Sequence, residues 1–346
     1  MTTDTINTDA LVIGAGPCGI FQVFELGLLG VKCHVLDSLA VAGGQCAELY
    51  PDKPIYDIPG IPVCSGEELI EALLQQIEPF DATFHLGEEV TELSPQDDGT
   101  FAVKTAKDRT FHTKTVFVAG GVGSFQPRKI RLDGLEAFEE TNVYYRVRNP
   151  EQFADKNIVI LGGGDSALDW TLALAENAKS LTLVHRRPEY RGAPASVQQM
   201  IALSDAGKVR QLEGKISGFT DDGKRLTSVT IAAASGEEIE LPVDALMAFF
   251  GLAPKLGPIA EWGLDLNRKT VNVDTEKFET NIPGVFAIGD INYYPGKKKL
   301  ILSGFHEAAL AAFAAKALIE PGKKVHLQYT TTSPIMHERL GVEADS

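Results

Sequence analysis

The 346-residue chain is short of cysteine, and the little it has is badly placed for a scaffold. Cys18, Cys33, Cys46 and Cys64 all fall in the first fifth, and no two are spaced as Cys-x-x-Cys. A disulfide framework spread over the fold is excluded, and reduced thiols in the cytoplasm are expected. Positive charge is also scarce. The 32 Lys and Arg against 47 Asp and Glu leave a net charge of −15. Nucleic-acid recognition needs basic surface, so that partner is not expected, nor is an anionic membrane. No uninterrupted apolar run approaches the roughly 18 residues of a membrane span. The apolar stretch near Leu310 is broken by Lys316. The opening MTTDTINTDA lacks the basic and apolar regions of a signal peptide. No metal site is expected.

Glycine, by contrast, is plentiful, with 33 residues, several of them in clustered fingerprints. The length suits two domains. DALVIGAGPCGIFQVFELGLLGVKCHVLD reads as strand (Ala10 to Ile13), turn (Gly14-x-Gly16-x-x-Gly19), helix (Ile20 to Leu29) and strand (Val31 to Leu36). It ends at Asp37, 23 residues after Gly14. Glycines in such a turn let the backbone approach a pyrophosphate at a helix N-terminus, where free N–H groups favour anions. An acid at this offset accepts hydrogen bonds from a ribose diol. The first unit therefore reads as a site for FAD or NAD.

The same plan returns in KNIVILGGGDSALDWTLALAENAKSLTLVHRR. Asn157 to Leu161 form the strand, Gly162-x-Gly164-x-x-Ala167 the turn, Leu168 to Ala175 the helix, and Leu181 to Val184 the second strand. Where the first unit has a carboxylate, this one has His185, Arg186 and Arg187, with Arg191 nearby. A carboxylate would repel a 2′-phosphate, whereas guanidinium groups bind it bidentately. The second unit reads as NADP(H). TVFVAGGVGSF (Thr115 to Phe125) and ETNIPGVFAIGDIN (Glu279 to Asn292) fit a first domain split by an insertion. The expected division is 1–125 with 253–346, the latter carrying an extension from 321 to 346, and an inserted domain, 126–252. Segments around Phe84–Leu93, Thr100–Thr105, Lys224–Ala232 and Glu237–Ile239 read as short antiparallel additions.

Taken together, GAGPCG, GGQC, YDIPG, GGGDSA, HRRxxxR and PGVFAIGD resemble the thioredoxin reductase group of two-dinucleotide flavoproteins over nearly the whole chain. Two features are similar to the ferredoxin (flavodoxin)–NADP+ reductases within it: the missing dithiol and the C-terminal extension. Glutathione-reductase-type enzymes carry a second cysteine five residues after the one in Gly-Gly-x-Cys. Here Cys46 is followed at that offset by Pro51. Thioredoxin reductases carry Cys-x-x-Cys before the second Gly-rich unit. Here that stretch, TNVYYRVRNPEQF, has no cysteine.

The resemblance implies an α/β fold of two Rossmann-like dinucleotide-binding domains, three-layer β/β/α, with the NADPH domain inserted in the FAD domain. It implies a homodimer with one FAD per subunit and ferredoxin or flavodoxin as partner. For FAD it implies Gly14, Gly16, Gly19 and Cys18 at the pyrophosphate and Asp37 at the ribose. Gln45 and a stacking Tyr50 fall at the flavin, Val90 at the adenine, Phe125 near the crossover, and Asp290 at the ribityl chain. Thr331 belongs to a tail that crosses to the partner's flavin. For NADPH it implies Gly162, Gly164, Ala167, His185, Arg186, Arg187 and Arg191. No side chain is required as an acid or base. Lys297, Lys298 and Lys299 are the leading candidates for a basic docking patch, with Lys53, Arg128, Lys129 and Arg131 able to extend it. Two other readings stay open: a reductase of low-molecular-weight disulfides or quinones, and a non-enzymatic NADPH-sensing flavoprotein.

Overall fold

The computed structural model describes residues 5–147 and 149–342, with side chains at all of these except 124–127 and 252–254. The chain forms two compact units, Met1–Ser124 with Pro254–Ser346, and Phe125–Ala253.

At the centre of the first unit is the strand Thr5–Ile13, whose ALVI run is buried on both faces, as a central parallel strand requires. It pairs in parallel with Cys33–Asp37 on one side and with Thr110–Val118 on the other. Thr83–Leu86 adds a parallel edge strand beyond Cys33–Asp37. The expectation for that segment was antiparallel. Register pairs His34 with Thr83 and Asp37 with Leu86 in the same direction. The following segments, Val90–Pro95 and Phe101–Thr105, are antiparallel.

Thr110–Val118 divides its partners. Its first half pairs with Phe101–Thr105, and its last three residues pair in parallel with Val285–Ala287. The antiparallel ribbon therefore leaves the plane of the parallel sheet, and the unit has three layers. One core lies between the sheet and the helices Pro17–Leu28, Gly66–Ile77 and Ile301–Ile319. A second, with Phe111, Val103 and Trp262, lies on the opposite face. Fully buried Phe117 and Phe286 stack at 5.1 Å in the first core. Burying side chains of this size contributes about 1.5–3 kcal/mol each.

Helix Gly66–Ile77 starts at a capping box in which Ser65 and Glu68 exchange hydrogen bonds with each other's backbone. Helix Ile301–Ile319 is long and apolar enough to pass as a membrane span by length and composition. Its Ala308, Ala311, Ala312 and Ala315 are fully buried in the first core. The small side chains let it approach Pro17–Leu28 closely.

The second unit repeats the plan. Val143–Tyr144, Ala245–Phe249, Asn157–Gly162, Ser180–His185 and Arg210–Asp221 run parallel in that order. Leu226–Ala233 and Glu238–Pro242 continue the sheet antiparallel. Helices Asp165–Leu174 and Pro194–Asp205 cover the face that buries Leu168 and Met200.

Candidate functional site

In the first unit the strand Thr5–Ile13 delivers a turn that only glycine permits at two of its three positions. Gly14 has φ +113°, and a Cβ there would stand 2.4 Å from the Ala119 carbonyl oxygen. A Cβ on Gly19 would stand 1.8 Å from the Gly14 oxygen. Those two glycines are demanded by packing. Gly16 is different. Its backbone is ordinary (φ −76°, ψ 179°), and an added Cβ would meet only the Gly44 Cα, at 3.9 Å. The fold does not need glycine there, and the space it leaves adjoins the uncapped start of helix Pro17–Leu28. An extended pyrophosphate fits such a gap, bonded by free N–H groups.

Asp37 is brought to this turn directly. One of its carboxylate oxygens accepts from the Ala15 N–H (2.6 Å) and the other from the Leu39 N–H (2.8 Å). Burial pushes its carboxyl up, and these two bonds oppose that. Each oxygen keeps a lone pair for a ribose hydroxyl. The Glu88 N–H donates to the Asp37 carbonyl (2.8 Å). Val90 opens the strand two residues on, its side chain buried in the second core.

The segment Gly43 to Tyr50 folds over the same turn. The Gly43 N–H donates to the Ala15 carbonyl (2.8 Å), and a Cβ on Gly44 would stand 3.0 Å from the Gly16 Cα. Gln45 Nε2 donates to Asp290 Oδ2 at 3.5 Å, joining residues 245 apart in sequence. Cys46 is fully buried, and its thiol donates to the Tyr50 hydroxyl at 3.6 Å. Cys46 is therefore a support for Tyr50 rather than the lone thiol its spacing suggests. Burial raises both groups' pKa values, with the bond between them lowering that of the thiol and raising that of the phenol.

Cys18 fills a crevice that two more glycines leave open. A Cβ on Gly304 would stand 2.1 Å from its sulfur, and one on Gly289 would stand 3.1 Å away. Burial, reinforced by Asp290 and Glu307, pushes the Cys18 thiol up to about 12.

Gly14, Gly16, Cys18, Gly19, Asp37, Gln45, Tyr50 and Asp290 are thus linked by contact or hydrogen bond. Thr331 is not joined to them. It lies exposed on a turn before helix Pro334–Leu340, which is anchored on its own chain by Arg339 donating to the Leu28 carbonyl. The Phe125 side chain lies outside the described residues. His306 packs edge-on against Phe278 at 6.2 Å. Lys297 does not belong to an exposed basic patch. Its side chain is only 4% exposed and pairs with the fully buried Glu307. That pairing was invisible in the sequence, where Lys297 reads as one of three lysines in a row.

The second unit has the same division of labour among glycines. A Cβ on Gly162 would stand 2.7 Å from both the Ala167 Cβ and the Phe249 oxygen. Ala167 is itself fully buried, so a larger residue has no room. Gly164 has φ −101° and nothing within 4 Å of an added Cβ, again at an uncapped helix start.

The segment after strand Ser180–His185 returns to the turn, with the Arg191 N–H donating to the Gly163 carbonyl (2.7 Å). The His185 ring lies against Gly163 and stacks on Tyr190 at 5.4 Å. Its Nε2 is buried with no hydrogen-bond partner. Burial lowers the His185 pKa, and Arg186, Arg187 and Arg191 lower it further. All three arginines are exposed, and among the described residues no carboxylate pairs with them. Free guanidinium groups beside an orphaned imidazole nitrogen fit a phosphorylated ribose.

Two Rossmann-like units, each with a Gly-rich turn at an uncapped helix start, define a two-dinucleotide α/β protein. The family model described as pyridine nucleotide-disulphide oxidoreductase matches residues 8–317. The chain belongs to that family and is an oxidoreductase. It is 61% identical over 342 residues to a ferredoxin–NADP reductase of Methylibium petroleiphilum, covering 98% of this chain and 93% of that one. It is 60% identical over 345 residues to a ferredoxin–NADP reductase of Albidiferax ferrireducens, covering 99% and 98%. Among solved structures, the fold is similar to a T. acidophilum thioredoxin reductase (TM-score 0.72, 24% identity, 90% and 98% covered). It is also similar to a bacillithiol disulfide reductase of Staphylococcus aureus (TM-score 0.74, 18% identity, 90% and 99% covered).

Proposed function

We propose that this oxidoreductase is an FAD-dependent ferredoxin–NADP+ reductase, able to use ferredoxin or flavodoxin. The first unit holds FAD and the second NADP(H), as the two gapped turns and the carboxylate-to-arginine exchange support. The chemistry FAD supplies when bound is acceptance of a hydride as a pair and release of single electrons. The protein's residues bind and orient. Gly16 and Gly164 open the pyrophosphate gaps, and Asp37 takes a ribose diol. Arg186, Arg187 and Arg191 take the 2′-phosphate, with His185 Nε2 beside them. Gln45 and Asp290 hold the ribityl side, and the Tyr50 ring is braced by Cys46. Phe125 is assigned to the crossover, Val90 to the adenine, and Thr331 to the flavin of a partner subunit in a homodimer. The thiol inventory suits the cytoplasm.

The observation that carries the choice of acceptor is the state of the thiols. All four are free, and none lies in the second unit. Cys18 is pushed up to about 12 and Cys46 is raised by burial, so both are neutral at physiological pH. Thiol–disulfide exchange needs a thiolate. A relay to a protein disulfide therefore has no carrier, which favours an acceptor reduced without one, and single-electron release suits ferredoxin or flavodoxin. Steady-state NADPH oxidation with ferredoxin, flavodoxin, a low-molecular-weight disulfide and a quinone tests this. Ferredoxin or flavodoxin should give the highest kcat/KM. A ferredoxin rate no better than that with dissolved oxygen would overturn the reading.

A further inference from the structure

The segment carrying Asp290 is held from below by a buried ion pair. Glu307, on helix Ile301–Ile319, is fully buried. Its Oε2 accepts from the Gly289 N–H (2.7 Å) and from Asn292 Nδ2 (2.9 Å). Its Oε1 accepts from the Tyr294 hydroxyl (3.0 Å) and pairs with Lys297 Nζ. Asn292 Nδ2 also donates to the Ala287 carbonyl (2.9 Å), tying the same carboxylate to the strand Val285–Ala287. Lys297 Nζ stands over the Tyr294 ring, 5.5 Å from its centroid. Beside Glu307, the Cys18 sulfur is wedged against Gly289 and Gly304. One carboxylate thus gathers residues 287 to 297 around the Gly289–Asp290 turn.

Stability alone does not account for such a pair. Desolvating two charges costs about as much as their attraction returns, and apolar replacements of equal volume are often neutral or stabilising. What a buried, fully bonded pair does supply is one fixed geometry. Gly289, whose N–H is held by Glu307, immediately precedes Asp290, whose carboxylate meets Gln45.

We propose that Lys297 and Glu307 are positioning residues: without touching the dinucleotide, they set the Gly289–Asp290 turn so that the Asp290 carboxylate meets the bound cofactor. The proposal rests on the reading of the first unit as an FAD site. Glu307 supplies the acceptors, and Lys297 holds them in place.

The test uses the full-length protein, with FAD affinity of the apoprotein as readout, followed by flavin fluorescence, together with the visible spectrum of the bound flavin. K297M leaves Glu307 buried without its cation, whereas K297M/E307Q leaves no unpaired charge and reports if K297M fails to fold. Both should bind FAD about tenfold more weakly, the lower end of what losing an outer hydrogen-bonding partner costs at metal sites. Both should also shift the flavin absorption band as D290A does. Adding D290A to K297M/E307Q should weaken binding little further, because both changes remove the same contact. Unchanged FAD affinity in K297M/E307Q, or losses that simply add to that of D290A, would overturn the proposal. Wild-type protein that binds no FAD would instead overturn the FAD reading itself.

Discussion

At the scale of the residue, the glycines separate into two kinds that sequence cannot tell apart. Gly14, Gly19 and Gly162 are dictated by the protein's own backbone and side chains, whereas a Cβ on Gly16 would make only an ordinary contact and one on Gly164 none. A G164A substitution should therefore leave the apoprotein's thermal midpoint where it is. It should raise the KM for NADPH about tenfold, the equivalent of about 1.4 kcal/mol of lost close approach. A melting point lowered in step with the affinity would mean that Gly164 serves the fold. The arginines carry a second prediction. R186A/R187A should abolish most of the preference for NADPH over NADH while leaving the rate with NADH nearly intact, because only the 2′-phosphate distinguishes the two. An unchanged coenzyme ratio would remove these residues from the site. The Gly14 to Gly19 turn and the place of Asp37 beside it were legible because the motif is local. Cys46 was not, because its partnership with Tyr50 depends on how helix Gln45–Leu49 folds over the turn.

At the scale of the element, the edge of the first sheet carries a polar chain that no motif announced. Arg109 Nη1 donates to His85 Nδ1 (2.9 Å) and pairs with the buried Glu88 (2.7 Å). Arginine has no acceptor, so His85 Nδ1 must be unprotonated and its Nε2–H donates to His34 Nδ1 (2.9 Å). A proton added at His85 Nδ1 would face the guanidinium. Burial lowers the pKa of both imidazoles, and for His85 the neighbouring His34 and Arg109 add to it. A histidine whose folded pKa is depressed takes its proton first in the unfolded chain. Stability is then full above the ordinary imidazole pKa and falls as pH drops through it. Between about pH 7.5 and about pH 5.5, bracketing the free value of about 6.5, the histidines' contribution to wild-type stability should fall in urea titrations. H85Q keeps an acceptor for Arg109 and a donor for His34 but cannot titrate, and should lose less over that interval. Equal losses would place the pH dependence elsewhere. The helices Gly66–Ile77 and Pro334–Leu340 teach a related lesson. The Ser65–Glu68 capping box and the Ser333–Pro334 start are written in the sequence, yet neither helix stands out without the apolar faces they bury.

At the scale of the whole molecule, the charge of −15 sets a condition on any acidic partner such as ferredoxin: docking needs local positive charge. With Lys297 buried, Lys298 and Lys299 are the exposed part of that run. K298E/K299E should raise the KM for ferredoxin several-fold and steepen at low ionic strength, since exposed charges are screened beyond about 10 Å at 0.1 M salt. NADPH oxidation with a small neutral quinone should stay unchanged. Equal ferredoxin kinetics would move the docking surface away from this loop. The duplicated strand–turn–helix–strand plan and the exchange of Asp37 for an arginine cluster were both determined by the sequence alone. Period, turn chemistry and charge at a fixed offset act over 30 residues or so, within reach of a linear reading. Tertiary structure decided the rest. It placed Thr83–Leu86 parallel, bonded Gln45 to Asp290 across 245 residues, and turned one of three adjacent lysines inward onto Glu307. These outcomes depend on which surfaces meet in space, and burial and desolvation act only once they have met.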